Sequence, residues 1–133
     1  MYKIAETPFG FQLTFSDTIK KEEMQKWHDE SIEILKKYKG KKFGVLIDMR
    51  EFKPLPPESQ EIMTKGQKIY KDTGMERSCV VLADPLITMQ FQRLGKQSGI
   101  YAFERYIDVK THPDNWHFIA TQWLNKAVDP DKK

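Results

Sequence analysis

The side chains best suited to chemistry follow the apolar segment Phe43 to Ile47. Asp48 and Arg50 come directly after it, and the planar fork of an arginine holds a carboxylate or phosphate in a way that a lysine cannot match. Pro57 can begin a helix, because its φ is fixed and the first turn needs no N–H from it. We expect these groups to meet at the carboxyl edge of a strand, where open α/β sheets usually bind ligands and partners.

The sequence predicts two sets of binding residues. The first set lies at this edge and comprises Asp48, Arg50, Ser59 and Asp84. Helix caps and salt bridges are a competing use for such residues, since Arg50 could pair with Glu51, Asp84 or a loop carbonyl. The second set could line an apolar pocket between helices and sheet, although methionines at helical spacing are also ordinary core residues. Its members are Met63, Met89 and Phe91.

Recognised catalytic signatures are missing from the sequence. It has no glycine-rich phosphate loop, nucleophile elbow or His-Glu-x-x-His pattern. His112 and His117 are five residues apart and would point to different sides of a shared helix, so we expect no metal site. Cys79 is the single cysteine, and its apolar context predicts a buried side chain in a reducing compartment. The sequence therefore favours a non-enzymatic protein without a cofactor.

Length and charge limit the class of protein further. With 133 residues, of which 39% are apolar and 31% charged, the chain fits one globular domain with a real core. No stretch approaches the ~20 apolar residues that span a bilayer, and no secretory signal precedes the domain, so we expect a cytoplasmic protein. A net charge of +3 is too small to indicate nucleic acid.

Apolar periodicity predicts the order β-β-α-β-α-β-α-β-α, an α/β fold with a mixed, mostly parallel sheet of five strands and four helices. Strands joined through helices should be parallel, and the opening hairpin makes the sheet mixed. The predicted strands are Tyr2–Ala5, Phe11–Phe15, Phe43–Ile47, Arg77–Ala83 and Tyr101–Ile107. Glu104 and Arg105 indicate partial exposure of the last strand. Leu13, Ile47, Val81 and Phe103 should supply the strand side of the core.

Capping residues and glycines predict the limits of the helices. The first helix should begin after the capping oxygens of Ser16 to Thr18 and end at Gly40. The second should run from Pro57 to Gly74, with Gly66 packed closely against the sheet. The third should begin at Asp84–Pro85 and end at Ser98–Gly99, and the fourth should begin at Pro113. Trp27 and Trp123 should be buried on helix faces.

A dense cluster of lysines follows the first helix. Its members are Lys36, Lys37, Lys39, Lys41 and Lys42. They could complement the helix C-terminus and solvate the turn. They could also contact anionic lipid headgroups, where each nearby lysine contributes about 1 kcal/mol.

The chain resembles the STAS domain family, the fold of the anti-sigma factor antagonists, and more closely its SpoIIAA-like branch, which is also likened to CRAL-TRIO lipid carriers. The resemblance rests on the element order and on patterns spread over most of the chain. These patterns are Val-Leu-Ile-Asp, Cys-Val-Val-Leu-Ala-Asp-Pro, Gln-Ser-Gly-Ile, Arg-Tyr-Ile-Asp and Gln-Trp-Leu. It implies one SpoIIAA-like domain over residues 1–128, followed by a frayed tail at 129–133.

The resemblance also implies a function. In the antagonists a serine at the start of helix 2, within Asp-Ser-Ser-Gly, is phosphorylated by the partner kinase. Ser59 is the serine nearest to that position here, although its context is Pro-Pro-Glu-Ser-Gln. The implied function is a regulatory module that binds a protein partner. The alternative is a carrier or sensor of a small apolar ligand.

Overall fold

The computed structural model describes residues 1–132, and its five strands and four α-helices follow the predicted order. The strands are β1 (Tyr2–Thr7), β2 (Gly10–Asp17), β3 (Phe43–Phe52), β4 (Met75–Leu82) and β5 (Glu104–Asp108). The helices are α1 (Lys21–Leu35), α2 (Pro57–Thr73), α3 (Pro85–Ser98) and α4 (Trp116–Lys126). Short 3-10 turns follow α1 at Lys36–Tyr38 and precede β5 at Tyr101–Phe103.

The strands form one mixed sheet in the spatial order β1-β2-β3-β4-β5. β1 and β2 pair as an antiparallel hairpin, and the other neighbours are parallel. β3 is therefore the central strand, and the predicted α/β fold with a mixed sheet is confirmed. Because the order never reverses, the sheet lacks the switch point at which α/β folds usually form a ligand crevice.

The two faces of the sheet are covered unequally. The buried residues of α1, α2 and α3 share one apolar cluster with β2, β3 and β4. The buried residues of α4 form a second cluster on the opposite face with Leu46, Cys79, Val81 and Ile107. β3 consequently alternates its side chains between two buried layers, which explains why its apolar run is continuous.

Most predicted core residues are buried. Leu13, Ile47 and Val81 are at most 9% exposed, and Trp27 and Trp123 are also buried. Cys79 is fully buried, and this burial raises the pKa of its thiol far above the ordinary range. Phe103 differs from the prediction, because it lies in the turn before β5 and is only partly buried.

Several predicted helix limits are wrong. Helix α1 begins at Lys21 without a side-chain cap, because Ser16 and Asp17 belong to β2. Its α-helical part ends at Leu35, and the chain continues through the 3-10 turn to Gly40, whose φ is +83°. Helix α4 begins at Trp116, three residues later than Pro113, because a turn occupies the residues between them.

The close approach of Gly66 involves a helix and not the sheet. A Cβ atom at this position would overlap the indole ring of Trp27 on α1. Trp27 in turn stacks on Tyr70 of α2, with ring centroids 5.9 Å apart. The glycine therefore allows α1 and α2 to pack closely.

The chain after α4 is also anchored. Asp129, which the sequence places in a frayed tail, accepts two hydrogen bonds from the Arg105 guanidinium at 2.8 and 3.0 Å. Arg105 Nε also lies 3.6 Å from a carboxylate oxygen of Asp131. Lys133, the last residue of the predicted tail, lies outside the described residues.

Candidate functional site

β3 is longer than the sequence predicts, and this extension positions Asp48 and Arg50. The strand continues to Phe52 instead of ending at Ile47. Because side chains alternate along a strand, residues two apart lie on the same face. Asp48 and Arg50 are therefore neighbours on the face that carries α4.

The Arg50 guanidinium is held in a fixed orientation. Its Nε and one terminal nitrogen donate to the two carboxylate oxygens of Asp48 at 3.0 and 2.9 Å. The backbone N–H of Arg50 donates to the same carboxylate at 3.1 Å. The guanidinium lies 4.4 Å from the ring centroid of Trp116, which adds a cation–π contact. The hydrogen bond to Asp48 raises the pKa of Arg50.

The partner of Arg50 is therefore not the one that the sequence suggests. Neither Glu51 nor Asp84 pairs with it, and the nearly buried Asp48 does. The Arg50 side chain nevertheless remains 42% exposed. It can brace Asp48 and face a partner at the same time.

Arg50 borders an open concavity at the carboxyl ends of β3 and β4. Its volume is about 470 Å³, and its lining consists of Arg50, Glu51, Phe52, Lys53, Ala83, Asp84, Pro85 and Lys110. Asp84 also has a role in the fold, because its carboxylate caps α3 by accepting the Leu86 N–H at 2.8 Å. The concavity thus joins two predicted site residues and adds two lysines that the sequence did not single out.

Exposed apolar side chains continue this concavity along α3. Leu86 is 55% exposed and Met89 is 66% exposed, one helical turn apart. The loop between β3 and α2, residues 53–56, is fixed beside them, because the Leu55 N–H donates to the Gln90 side chain at 2.9 Å. We call this region the carboxyl-edge surface and define it by six of its exposed residues. They are Arg50, Lys53, Asp84, Leu86, Met89 and Lys110.

Ser59 does not belong to the carboxyl-edge surface. Its side chain is fully buried, and its hydroxyl donates to the Ile19 carbonyl at 2.9 Å. A kinase needs an exposed hydroxyl in a segment that can enter its active site. The folded domain does not offer Ser59 in that form, and the structure does not bring it together with Asp48, Arg50 and Asp84.

The predicted apolar pocket is a small internal cavity. Met63 and Phe91 line it, and its volume is about 30 Å³. An engineered cavity of about 150 Å³ binds benzene, whereas this one has room for only one or two waters. Met89 is not part of it, because its side chain points outward from α3.

Glu104 is buried, although its presence in the sequence predicts that the last strand is partly exposed. Its side chain lines the internal cavity and is 3% exposed. The Tyr106 hydroxyl donates to Glu104 Oε2 at 2.9 Å. Gly95 of α3 makes room for the pair, because a Cβ atom there would lie 2.9 Å from the Tyr106 hydroxyl and 3.1 Å from Glu104 Oε2. The sequence signal for this arrangement was the period-two alternation of β5, which puts Glu104 and Tyr106 on the same face of the strand.

Burial raises the pKa of Glu104 to about 8, although the Tyr106 hydrogen bond opposes this. The unfolded chain loses this proton near the ordinary value of 4.5, so folding retains a proton that the unfolded state releases. The contribution of neutral Glu104 to the free energy of unfolding is therefore fully present below about pH 4.5. It is lost as the pH rises toward about 8.

We expect a Glu104→Gln variant to become more stable than the parent as the pH rises. Between pH 5 and 8 its advantage should grow by about 1 kcal/mol for each pH unit, measured by urea unfolding. The matched control is Glu61→Gln, whose side chain is 77% exposed. Identical pH slopes for the parent and Glu104→Gln would contradict a neutral buried carboxyl.

Comparisons with known proteins do not assign this site. The chain matches no protein-family model and no curated protein. Within residues 1–132, no three His, Cys, Asp or Glu side chains are placed to hold a metal ion. No helix in the same residues is both long and apolar enough to cross a membrane.

Proposed function

We propose that this protein is a non-enzymatic STAS-type module that binds a protein partner through its carboxyl-edge surface. The observation that carries this proposal is the arrangement of Arg50, which Asp48 and Trp116 fix while its side chain stays 42% exposed. Arginine is over-represented among residues that dominate binding energy. A side chain that is already ordered loses less conformational entropy on binding.

Arg50 retains donors for a partner. Asp48 occupies Nε and one terminal nitrogen. The other terminal nitrogen has no hydrogen-bond partner in the part of the chain that the structure describes. A carboxylate of the partner can accept from it, so the ion pair with Asp48 and recognition are compatible.

The rest of the surface defines the partner's chemistry. Lys53 and Lys110 are exposed and line the same concavity as Arg50, where they add positive charge beside Glu51 and Asp84. Leu86 and Met89 add an apolar strip, and the flexible methionine side chain can adapt its shape to a partner. We infer a partner that presents acidic residues beside one or two apolar side chains.

The proposed module differs from the antagonists in its regulation. In those proteins a phosphorylated serine at the start of helix 2 switches binding off. Here the corresponding Ser59 is buried and bonded to Ile19. We propose that the module lacks this phospho-switch.

Charge reversal at two lysines tests the proposed surface. We expect the Lys53→Glu/Lys110→Glu double variant to capture at least about tenfold less of the partner, because opposed like charges cost an interface several kcal/mol. The measurement is affinity capture from extracts of the cells that make the protein, quantified by mass spectrometry. A photo-crosslinker at Leu86 identifies the protein that touches this surface.

The matched control is Lys68→Glu/Lys126→Glu near the ends of α2 and α4, where both lysines are exposed. It makes the same change in net charge away from the carboxyl-edge surface. A partner whose capture drops equally in both double variants responds to overall charge, and one that drops only in the control binds elsewhere. Either result would refute the proposed surface.

A carrier of a small apolar ligand is the second candidate function. The internal cavity favours this candidate, because three adaptable methionines and one neutral carboxylic acid line it. They are Met49, Met63, Met75 and Glu104. Its volume of about 30 Å³ requires that the helices open before a lipid enters. Native mass spectrometry separates the candidates, since a retained lipid-sized mass supports the carrier and a co-purifying protein supports the module.

A further inference from the structure

Positive charge is concentrated at the amino edge of the sheet, opposite the carboxyl-edge surface. Lys36 to Lys42 supply five lysines between α1 and β3, and all five are exposed. This connection lies against the end of α2, because the Phe43 N–H donates to the Gly74 carbonyl at 3.2 Å. The charge therefore lies where α1 and α2 both end.

Two further lysines extend this charge toward α3. Lys71 of α2 reaches the end of α3, since a Cβ atom at Gly99 would lie 2.9 Å from its Nζ. Lys96 lies on the last turn of α3, with its Nζ 4.8 Å from the ring centroid of Tyr101. We call these seven residues the lysine ridge. Its members are Lys36, Lys37, Lys39, Lys41, Lys42, Lys71 and Lys96.

Internal ion pairs neutralise only part of the cluster between α1 and β3. Lys36 pairs with Glu33 at 2.9 Å, and Lys42 lies 3.9 Å from Glu76. Lys37, Lys39 and Lys41 form no ion pair within residues 1–132.

The helix dipole does not account for all of these charges. Its effect falls off within the last turn of a helix, and the last turn of α1 contains no basic residue. Lys36 and Lys37 lie in the following 3-10 turn, and Lys39, Lys41 and Lys42 lie beyond it. The later lysines therefore present charge to the solvent.

We propose that the lysine ridge docks the domain on an anionic lipid surface. Lysines on flexible stems suit a layer of headgroups, which offers diffuse charge and no fixed geometry. Tyr101 is 40% exposed at the same edge, and tyrosine is enriched at the level of lipid headgroups. The ridge contains no arginine fork for bidentate phosphate or base recognition.

The lysine ridge is separate from the carboxyl-edge surface. The ridge lies at the amino end of the parallel strands, and the carboxyl-edge surface lies at the other end. β3 has ten residues, and a strand rises about 3.3 Å per residue, so the two regions are about 30 Å apart. A domain docked through the ridge would present Arg50 away from the membrane.

Vesicle sedimentation tests this docking. The parent should sediment with phosphatidylserine-rich vesicles and stay in solution with pure phosphatidylcholine vesicles. The Lys37→Gln/Lys39→Gln/Lys41→Gln variant should bind about 100-fold more weakly, because each lysine near the surface contributes about 1 kcal/mol. Raising the salt should release the parent, since screening shortens the range of these charges.

A matched variant controls for net charge. Lys20→Gln/Lys21→Gln/Lys26→Gln removes three exposed lysines of the opposite end and of α1. It should bind within about threefold of the parent, since charges beyond a Debye length from the membrane are screened. Thermal unfolding should confirm that both variants fold. If the Lys37→Gln/Lys39→Gln/Lys41→Gln variant does not fold, Lys39→Glu alone should still weaken binding by about tenfold or more.

Four results would overturn the proposal. The parent could fail to bind the phosphatidylserine-rich vesicles, or it could bind neutral vesicles equally well. The two triple variants could lose binding equally, which would make the effect one of net charge. Heparin or duplex DNA could bind more tightly than the vesicles and displace them, which would assign the ridge to another polyanion.

Discussion

Replacement of Val81 by aspartate is expected to destabilise the domain by at least about 4 kcal/mol at neutral pH, because a charge would be buried without a partner. Val81 is fully buried between the sheet and α4. Its register partner on β3 is Asp48, so a second carboxylate would lie beside one that Arg50 already occupies. The loss should shrink at low pH, where the new side chain is protonated.

The control for Val81→Asp is Val128→Asp, which makes the same chemical change at a residue that is 52% exposed. This control should change the free energy of unfolding by no more than about 0.5 kcal/mol. Urea unfolding monitored by tryptophan fluorescence measures both. Equal stability of Val81→Asp and the parent would show that β4 is not buried as described.

Replacement of Gly10 by alanine is expected to destabilise the domain by about 3 kcal/mol or more, because strain and steric overlap act together. Gly10 begins β2 with a φ of +143°, which L side chains rarely adopt. A Cβ atom would overlap the Gly44 carbonyl oxygen of β3 and lie 3.0 Å from the Gly44 nitrogen. Because both atoms belong to the backbone, relief requires the central strands to separate.

Gly40 provides the matched control for this substitution. It also has a positive φ, +83°, but a Cβ atom there would have no neighbour within 4 Å. Gly40→Ala should therefore cost only the backbone strain, about 1 kcal/mol. Similar losses for both variants would show that strand contact contributes nothing at Gly10.

Both substitutions test the central parallel pair, β2 and β3, and its neighbour β4. The carboxyl-edge surface depends on the same strands, because β3 carries Asp48 and Arg50 and β4 leads to Asp84. A variant that loosens them should therefore weaken binding of the proposed partner as well. Binding is best compared among variants of unchanged stability, such as the lysine reversals.

The order of strands and helices could be predicted from the sequence, because it depends on local patterns. The run Phe43 to Ile47 is apolar at every position, so it indicates a strand covered on both faces. Pro57, Asp84 with Pro85, and Gly99 mark helix limits through their own backbone preferences, and the structure confirms all three. These signals require no knowledge of distant residues.

The partners of individual side chains were decided by the tertiary structure. Charged residues after Ile47 indicated the end of a strand, yet pairing with β2 extends β3 to Phe52. Period-two alternation then puts Arg50 beside Asp48. Ser59 faces Ile19 across forty residues of chain, and Glu104 lies beneath α3 because Gly95 leaves space for it. Such contacts depend on how separate segments pack, and local composition carries no information about that.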